Sequence, residues 1–183
     1  MYPPESRTIV EVTGLQDLLC GASRPGHFRG VATVVLKLLN IVQPDFTYCG
    51  QKDAQQALIL RRMVADLNVA TTIRIHPTVR EPDGLAMSSR NRYLDPTQRM
   101  HATGLYRALQ QVEKMVAGGE RRVPELERAM VENIRTPASR LDYARVLDAE
   151  TLEPITMLDR PALAAVAVFF GTTRLIDNTL LAP

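Results

Sequence analysis

Lys52 stands in the run Gly50-Gln51-Lys52-Asp53-Ala54-Gln55-Gln56. There a short apolar, aromatic stretch, Phe46 to Cys49, gives way to Ala57, Leu60, Met63, Val64 and Leu67 at helical spacing. Backbone N–H groups at the head of a helix carry partial positive charge and a lysine adds a full one, so the junction suits an anion such as a phosphate. A purely structural reading is also open. Asp53 and Gln56 have capping-box spacing, in which side chains and backbone at a helix start satisfy one another, and a lysine beside such a start can simply be solvated.

A second constellation, Gly84-Leu85-Ala86-Met87-Ser88-Ser89-Arg90-Asn91-Arg92, is rich in groups that bind phosphate. Two consecutive hydroxyls donate hydrogen bonds, and a guanidinium can fork onto two oxygens. In isolation the same residues fit a polar surface loop ahead of a helix cap; the Gly-x-Lys-Asp junction earlier in the chain tips the balance towards phosphate. His27 is the histidine that residue type would nominate as an acid or base, since His76 falls at a strand end and His101 on a polar helix face. Cys20 and Cys49 form no close pair and no histidine lies at metal-ligand spacing, so neither a disulfide framework nor a zinc site is expected.

These residues need elements to hold them. A chain of 183 residues with 45% apolar content is long enough for one sizeable core or two small ones. Its 22 basic and 20 acidic residues leave a net charge of +2, which points to neither nucleic acid nor a membrane surface. The N-terminal residues lack the basic and apolar regions of a signal peptide, and no run is long enough to span a bilayer. A soluble cytoplasmic protein is expected.

Along the chain, Arg24-Pro25-Gly26-His27 leads into a periodic segment in which Phe28, Val31, Val34, Val35, Leu38, Leu39 and Val42 share one helical stripe, ended by Pro44. A strand at Phe46 to Cys49, a helix from Ala54 and a strand at Thr71 to Ile75 follow, the rhythm of a parallel, doubly wound sheet. The stretch Pro77 to Arg92 breaks that rhythm and reads as a hinge. Beyond it, Asp95-Pro96-Thr97-Gln98 starts a helix with Leu105, Leu109, Val112 and Val116 on its buried stripe, and a second helix covers Glu125 to Ile134. Strands are expected at Asp142 to Leu147, Ala164 to Phe170 and Thr173 to Leu181, with Gly171-Thr172 as a tight turn. Two parallel strands alone are short of neighbours on at least one side.

Five stretches taken in order carry a resemblance: Arg24 to Val31, Gly50 to Gln56, Pro77 to Glu81, Asp83 to Asn91 and Arg174 to Asn178. Over nearly its whole length the chain resembles the pantothenate synthetase (pantoate–β-alanine ligase) family, whose members look like nucleotidyl-transferring relatives of the class I aminoacyl-tRNA synthetases. The resemblance implies an α/β fold with a partial Rossmann-like, nucleotidylyltransferase-type parallel sheet, residues 1–80, followed by a small α+β lid domain, residues 81–183, with helices and a three-stranded antiparallel sheet. It implies condensation of pantoate with β-alanine through a pantoyl-adenylate, with ATP consumed, pyrophosphate and AMP released, and magnesium bridging the phosphates. Members of the family resemble homodimers.

Carried over residue by residue, the resemblance places Gly50, Gln51, Lys52 and Asp53 in the nucleotide site. Lys52 would neutralise charge on the transferred phosphoryl region. Asp53 would orient magnesium-bound water or the ribose-phosphate region, with no direct metal ligand in the chain. Val79 would touch the nucleotide through its backbone, and Met87, Ser88, Ser89 and Arg90 match the loop that closes on ATP, a counterpart of the Lys-Met-Ser-Lys-Ser signature with arginine in place of the second lysine. Lys52, Ser88, Ser89 and Arg90 would act on the reacting phosphates. Gln56 matches a pantoate-binding glutamine, and Arg24 and His27 would be anion contacts at the edge of the substrate site rather than acids or bases.

The family also carries a His-x-Gly-His motif that grips the ATP phosphates and a further pantoate-binding glutamine, and neither is in this sequence. The expectation is a C-terminal portion of such a ligase, from a truncated gene, a misplaced start or a partial sequence, lacking about three βα units of roughly 30 residues each. On this view it is weak or inactive by itself. The alternatives are a non-catalytic nucleotide-binding module and one half of a split ligase.

Overall fold

The computed structural model describes residues 1–137 and 139–183. The chain is a mixed α/β protein that divides into two compact units, Met1–Pro77 and Thr78–Pro183.

The first unit is built around one strand–helix–strand repeat. A single helical turn, α1 (Cys20–Ser23), precedes the long helix α2 (His27–Val42). Strand β1 (Phe46–Gly50) runs through a 3-10 turn, Gln51–Asp53, into helix α3 (Ala54–Asp66), and strand β2 (Thr72–His76) pairs parallel with β1, Phe46 opposite Thr72 and Gly50 opposite His76. Helix α3 packs on α2 and on both strands. It buries Ala57, Leu58, Ile59, Leu60, Met63 and Val64.

Two details depart from the periodicity. Leu67, counted on the α3 stripe, is the C-cap residue and half exposed. Helix α2 is apolar nearly all round, and its buried residues are Phe28, Ala32, Thr33 and Leu39, with Leu38 and Val42 exposed. The small Ala32 and Thr33 occupy the packed side. The Thr33 hydroxyl donates to Arg29 O at 2.7 Å and accepts from Val10 N at 2.9 Å, which fixes that side inwards.

The second unit holds the larger core. Helices α4 (Pro96–Ala102), α5 (Gly104–Ala117) and α6 (Val123–Ile134) precede an antiparallel sheet in the order β3 (Ser139–Asp148), β4 (Ala162–Phe170), β5 (Thr173–Leu181). Leu105, Leu109 and Val112 of α5 and Leu126 and Met130 of α6 share a core with Val146, Val166 and Phe170 of the sheet. The central strand β4 is buried on both faces, since Leu163, Ala165 and Ala167 are as inaccessible as their neighbours. Gly171, at φ +58, turns β4 into β5.

The single helix expected from Asp95 onward is two helices. The Asp95–Gln98 capping box forms as read, but the Thr103 hydroxyl donates back to Met100 O at 2.7 Å, an alternative to the helical ladder. At Gly104 a Cβ would lie 3.3 Å from Asn133 O, a close approach to α6 that glycine permits. Strand β3 begins earlier than its apolar residues suggest. Arg140 lies over its cross-strand partner Phe169 at 4.0 Å, and a bulge between Leu141 and Tyr143 turns Asp142 onto Arg174 of β5.

Candidate functional site

The first group of site residues lies at the junction of β1 with α3. Gly50 is extended, Gln51, Lys52 and Asp53 make the 3-10 turn, and Asp53 is the N-cap of α3. The capping box that the Asp53–Gln56 spacing allows does not form: Asp53 adopts φ −101, ψ 49 and its carboxylate makes no cap hydrogen bond. The carboxylate instead stands exposed at the head of a 13-residue helix. Lys52, Gln51 and Gln56 are half-buried. Burial, with a smaller contribution from the charge on Asp53, pushes the nearby Cys49 thiol up from its ordinary value, so it stays protonated rather than nucleophilic.

The glutamine that anchors this junction is Gln55. Buried, it accepts from Cys20 N at 3.0 Å and donates to Leu15 O at 2.8 Å and Leu18 O at 2.6 Å, tying α3 to the segment before α1. Sequence motifs do not single it out, although Gln55 lies in line with Leu58 and Ile59, the mark of a polar residue on an apolar face.

Arg24 and His27 are brought together at the start of α2. The Arg24 Nη1 lies 2.9 Å from His27 Nε2. A guanidinium only donates, so Nε2 is the acceptor and the imidazole orients Arg24 rather than serving as an acid there. A cleft lined by residues that include Glu11, Asp17, Gly26, Phe28 and Arg29 lies beside this pair. His76 is exposed at the end of β2, and His101 is half-buried on α4.

The second group lies in the second unit, on a hairpin-like turn. Met87 N donates to Val79 O at 2.9 Å, Glu81 N to Leu85 O at 2.8 Å and Gly84 N to Glu81 O at 2.8 Å. The turn thus pairs Val79 with Met87 and leaves both side chains exposed, while Leu85 and Ala86 are buried and fix it to the core. Ser88 caps the following 3-10 turn, Ser89–Tyr93, its Oγ accepting from Arg90 N at 3.2 Å. Ser89 and Arg90 are exposed.

Glu81 links the two turns. Its Oε1 accepts from Asn91 Nδ2 at 2.6 Å and its Oε2 from Arg99 Nη2 at 2.7 Å, while Arg99 Nη1 also reaches Asp83 at 2.6 Å. Asn91, then Arg99, hold the Glu81 carboxyl below its ordinary value, and Arg99 does the same for Asp83. Neither role is visible in sequence, because Glu81 and Arg99 are 18 positions apart with no periodicity between them.

Among the described residues no cluster of three acidic, histidine or cysteine side chains could hold a metal by itself. No helix among them is long and apolar enough to cross a membrane.

A family model described as pantoate-beta-alanine ligase matches residues 1–180. The chain is 54% identical over 182 residues to a pantothenate synthetase of Moorella thermoacetica, covering 99% of this chain and 64% of that protein. It is 53% identical to the enzyme of the same name from Thermotoga neapolitana, of which it covers 65%. The chain therefore spans 64–65% of the length of these curated relatives. Its structure resembles pantothenate synthetase from Thermus thermophilus, with TM-score 0.95, 47% identity, and coverage of 100% of this chain and 67% of the other. A ligase from Francisella tularensis, solved with a β,γ-ATP ligand and β-alanine, matches 98% of this chain and 60% of its own at TM-score 0.72 and 33% identity.

Proposed function

We propose, for a chain that belongs to the pantoate-beta-alanine ligase family, ATP-dependent condensation of pantoate with β-alanine to pantothenate, a precursor of coenzyme A. A pantoate carboxylate oxygen attacks the α-phosphorus of ATP, the bond from that phosphorus to the bridging oxygen breaks, and pyrophosphate leaves. The β-alanine amine then attacks the pantoyl carbonyl, AMP departs with the oxygen that joined it to the acyl group, and the excess amine proton goes to solvent. The reaction draws on cytoplasmic ATP.

The observation that carries this reading is the head of α3, where Lys52 stands in a turn whose N-cap residue makes no side-chain cap. First-turn N–H groups and a cation then face the same anion, and such donors act most strongly where charge gathers in the transition state. Gly50 and Gln51 let backbone approach the nucleotide, and Val79 meets it through its main chain. Met87, Ser88, Ser89 and Arg90 close on the phosphates, with the hydroxyls donating and the Arg90 guanidinium forking onto two oxygens. Gln56, which takes part in no capping box with Asp53, and the Arg24–His27 pair serve pantoate. In this reading residues 1–80 are the nucleotide-binding part and residues 81–183 the lid domain.

Magnesium fits the donor set, because this ion is commonly held by one or two carboxylates together with substrate phosphates and water, and Asp53 offers an exposed carboxylate beside Lys52. Bound there through water by Asp53, it would supply charge neutralisation on the phosphates.

Titration calorimetry with ATP and an assay for AMP formation dependent on both pantoate and β-alanine test the reading. Lys52→Ala should cost about 10²-fold in ATP-dependent turnover; a variant that binds and turns over ATP like the parent sinks the role of Lys52. The sequence contains no His-x-Gly-His, so the assay is run with the chain alone and with a separate polypeptide bearing that motif. ATP binding without turnover would identify a non-catalytic nucleotide module, and turnover restored by a separate polypeptide bearing that motif would identify a split ligase.

A further inference from the structure

We propose that Arg80 and Asp177 are positioning residues that pin the Val79–Met87 turn, and through Glu81 and Asn91 the Ser88–Tyr93 turn, to the lid core. The inference rests on the nucleotide reading of these turns.

Arg80 is a node between three elements. Its guanidinium forks onto Asp177 of β5, with Nη1 to Oδ2 at 2.6 Å and Nη2 to Oδ1 at 3.1 Å. The same Nη1 donates to Gly84 O at 3.0 Å, across the turn on which Arg80 itself lies. The guanidinium also stacks over the ring of Tyr106 in α5 at 4.1 Å. Gly84 sits at φ +92, and a Cβ there would run into the same ring. The turn is thus wedged against α5 by Tyr106 and tied to β5 by a carboxylate that is 2% exposed.

A buried ion pair adds little net stability over an apolar pair of the same shape, because desolvation offsets the attraction. What it does fix is geometry, since a planar fork is satisfied in one orientation. Next in sequence, Glu81 carries that orientation onward by accepting from Asn91, whose Nδ2 also reaches Ala86 O at 3.1 Å and whose backbone N donates to Ser88 O at 3.0 Å. Ser89 and Arg90 therefore extend from a scaffold whose placement begins at Asp177.

The pair Arg174–Asp142 supplies the control. It also joins a guanidinium to a carboxylate, one less buried than that of Asp177 (side-chain exposure 16% against 1%), and links β5 to β3. Hydrogen exchange of the whole chain without nucleotide, followed at the amides of Glu81, Gly84, Met87 and Asn91, should be roughly tenfold or more faster in Asp177→Asn and unchanged in Asp142→Asn. ATP affinity by calorimetry, at a temperature where circular dichroism shows all variants folded, should fall roughly tenfold in Asp177→Asn alone.

Loop amides that exchange at the parent rate in Asp177→Asn, or equal effects from Asp142→Asn, overturn the proposal. Should Asp177→Asn fail to fold, Arg80→Lys keeps the charge, drops the fork and the stacking, and is held to the same two readings. Absence of ATP binding by the parent chain would overturn the nucleotide reading alone, and the exchange arm would still decide the anchoring.

Discussion

Gln55 ties the first unit together through one buried polar side chain. Replacing it with alanine leaves Cys20 N–H, Leu15 C=O and Leu18 C=O without their partner in a buried setting. Gln55→Ala should lower stability by about 2–4 kcal/mol, the scale for orphaned buried groups, read as a lower urea midpoint with an unchanged slope. Gln56→Ala, at a half-buried position, should shift stability by no more than about 0.5 kcal/mol. Two adjacent glutamines thus divide structure from candidate chemistry, and the sequence offered a motif only for the second. A helical stripe reveals that Gln55 points inwards; it says nothing of the partners, which lie 35 to 40 positions away.

At the scale of elements, local rules proved reliable where both partners are close in sequence. The Asp95–Gln98 box, the Gly171 turn and the β1–α3–β2 repeat all form as read. They fail where a distant contact decides. The α4–α5 break needs Asn133 beside Gly104 and the early start of β3 needs Phe169 opposite Arg140, neither of which periodicity contains. The turn after β3 shows how a local device makes a measurable pH effect. Asp148 accepts from Thr151 N and Glu150 N at 2.9 Å each and from Arg160 Nε at 2.7 Å. The Thr151 amide foremost, with Arg160 and the Glu150 amide, holds its carboxyl down to about 2 from an ordinary 3.8. The folded state therefore binds fewer protons than the unfolded chain in this range. The contribution of Asp148 is complete above pH 3.8 and fades as pH falls towards 2. Urea midpoints of the parent should drop through that window, and Asp148→Asn should flatten the drop there while lowering the midpoint at neutral pH. A variant whose acid limb matches the parent's would show that other carboxylates govern it.

At the scale of the molecule, the two units bury their sheets very differently. Strand β4 is covered on both faces, whereas the parallel pair β1–β2 leaves Tyr48 64% and Phe46 45% exposed, and α2 leaves Ile41 68% exposed. Parallel sheets in folded proteins are ordinarily covered on both faces, and unpaired edges with apolar residues template association. Phe46 is partly shielded, because Arg74 of β2 stacks on its ring at 3.7 Å, so Tyr48 and Ile41 are the residues most available to a second molecule. Sedimentation velocity should show mass rising with concentration above the 20.4 kDa of one chain. Tyr48→Lys combined with Ile41→Lys should return it towards that value, because charge in an exposed apolar patch, on strand β1 or on helix α2, opposes association, while stability changes by no more than about 0.5 kcal/mol per site. Sedimentation of the parent as one chain at every concentration would show that these side chains do not drive association. If instead the lysine variants associate as the parent does, the contact lies elsewhere on the molecule.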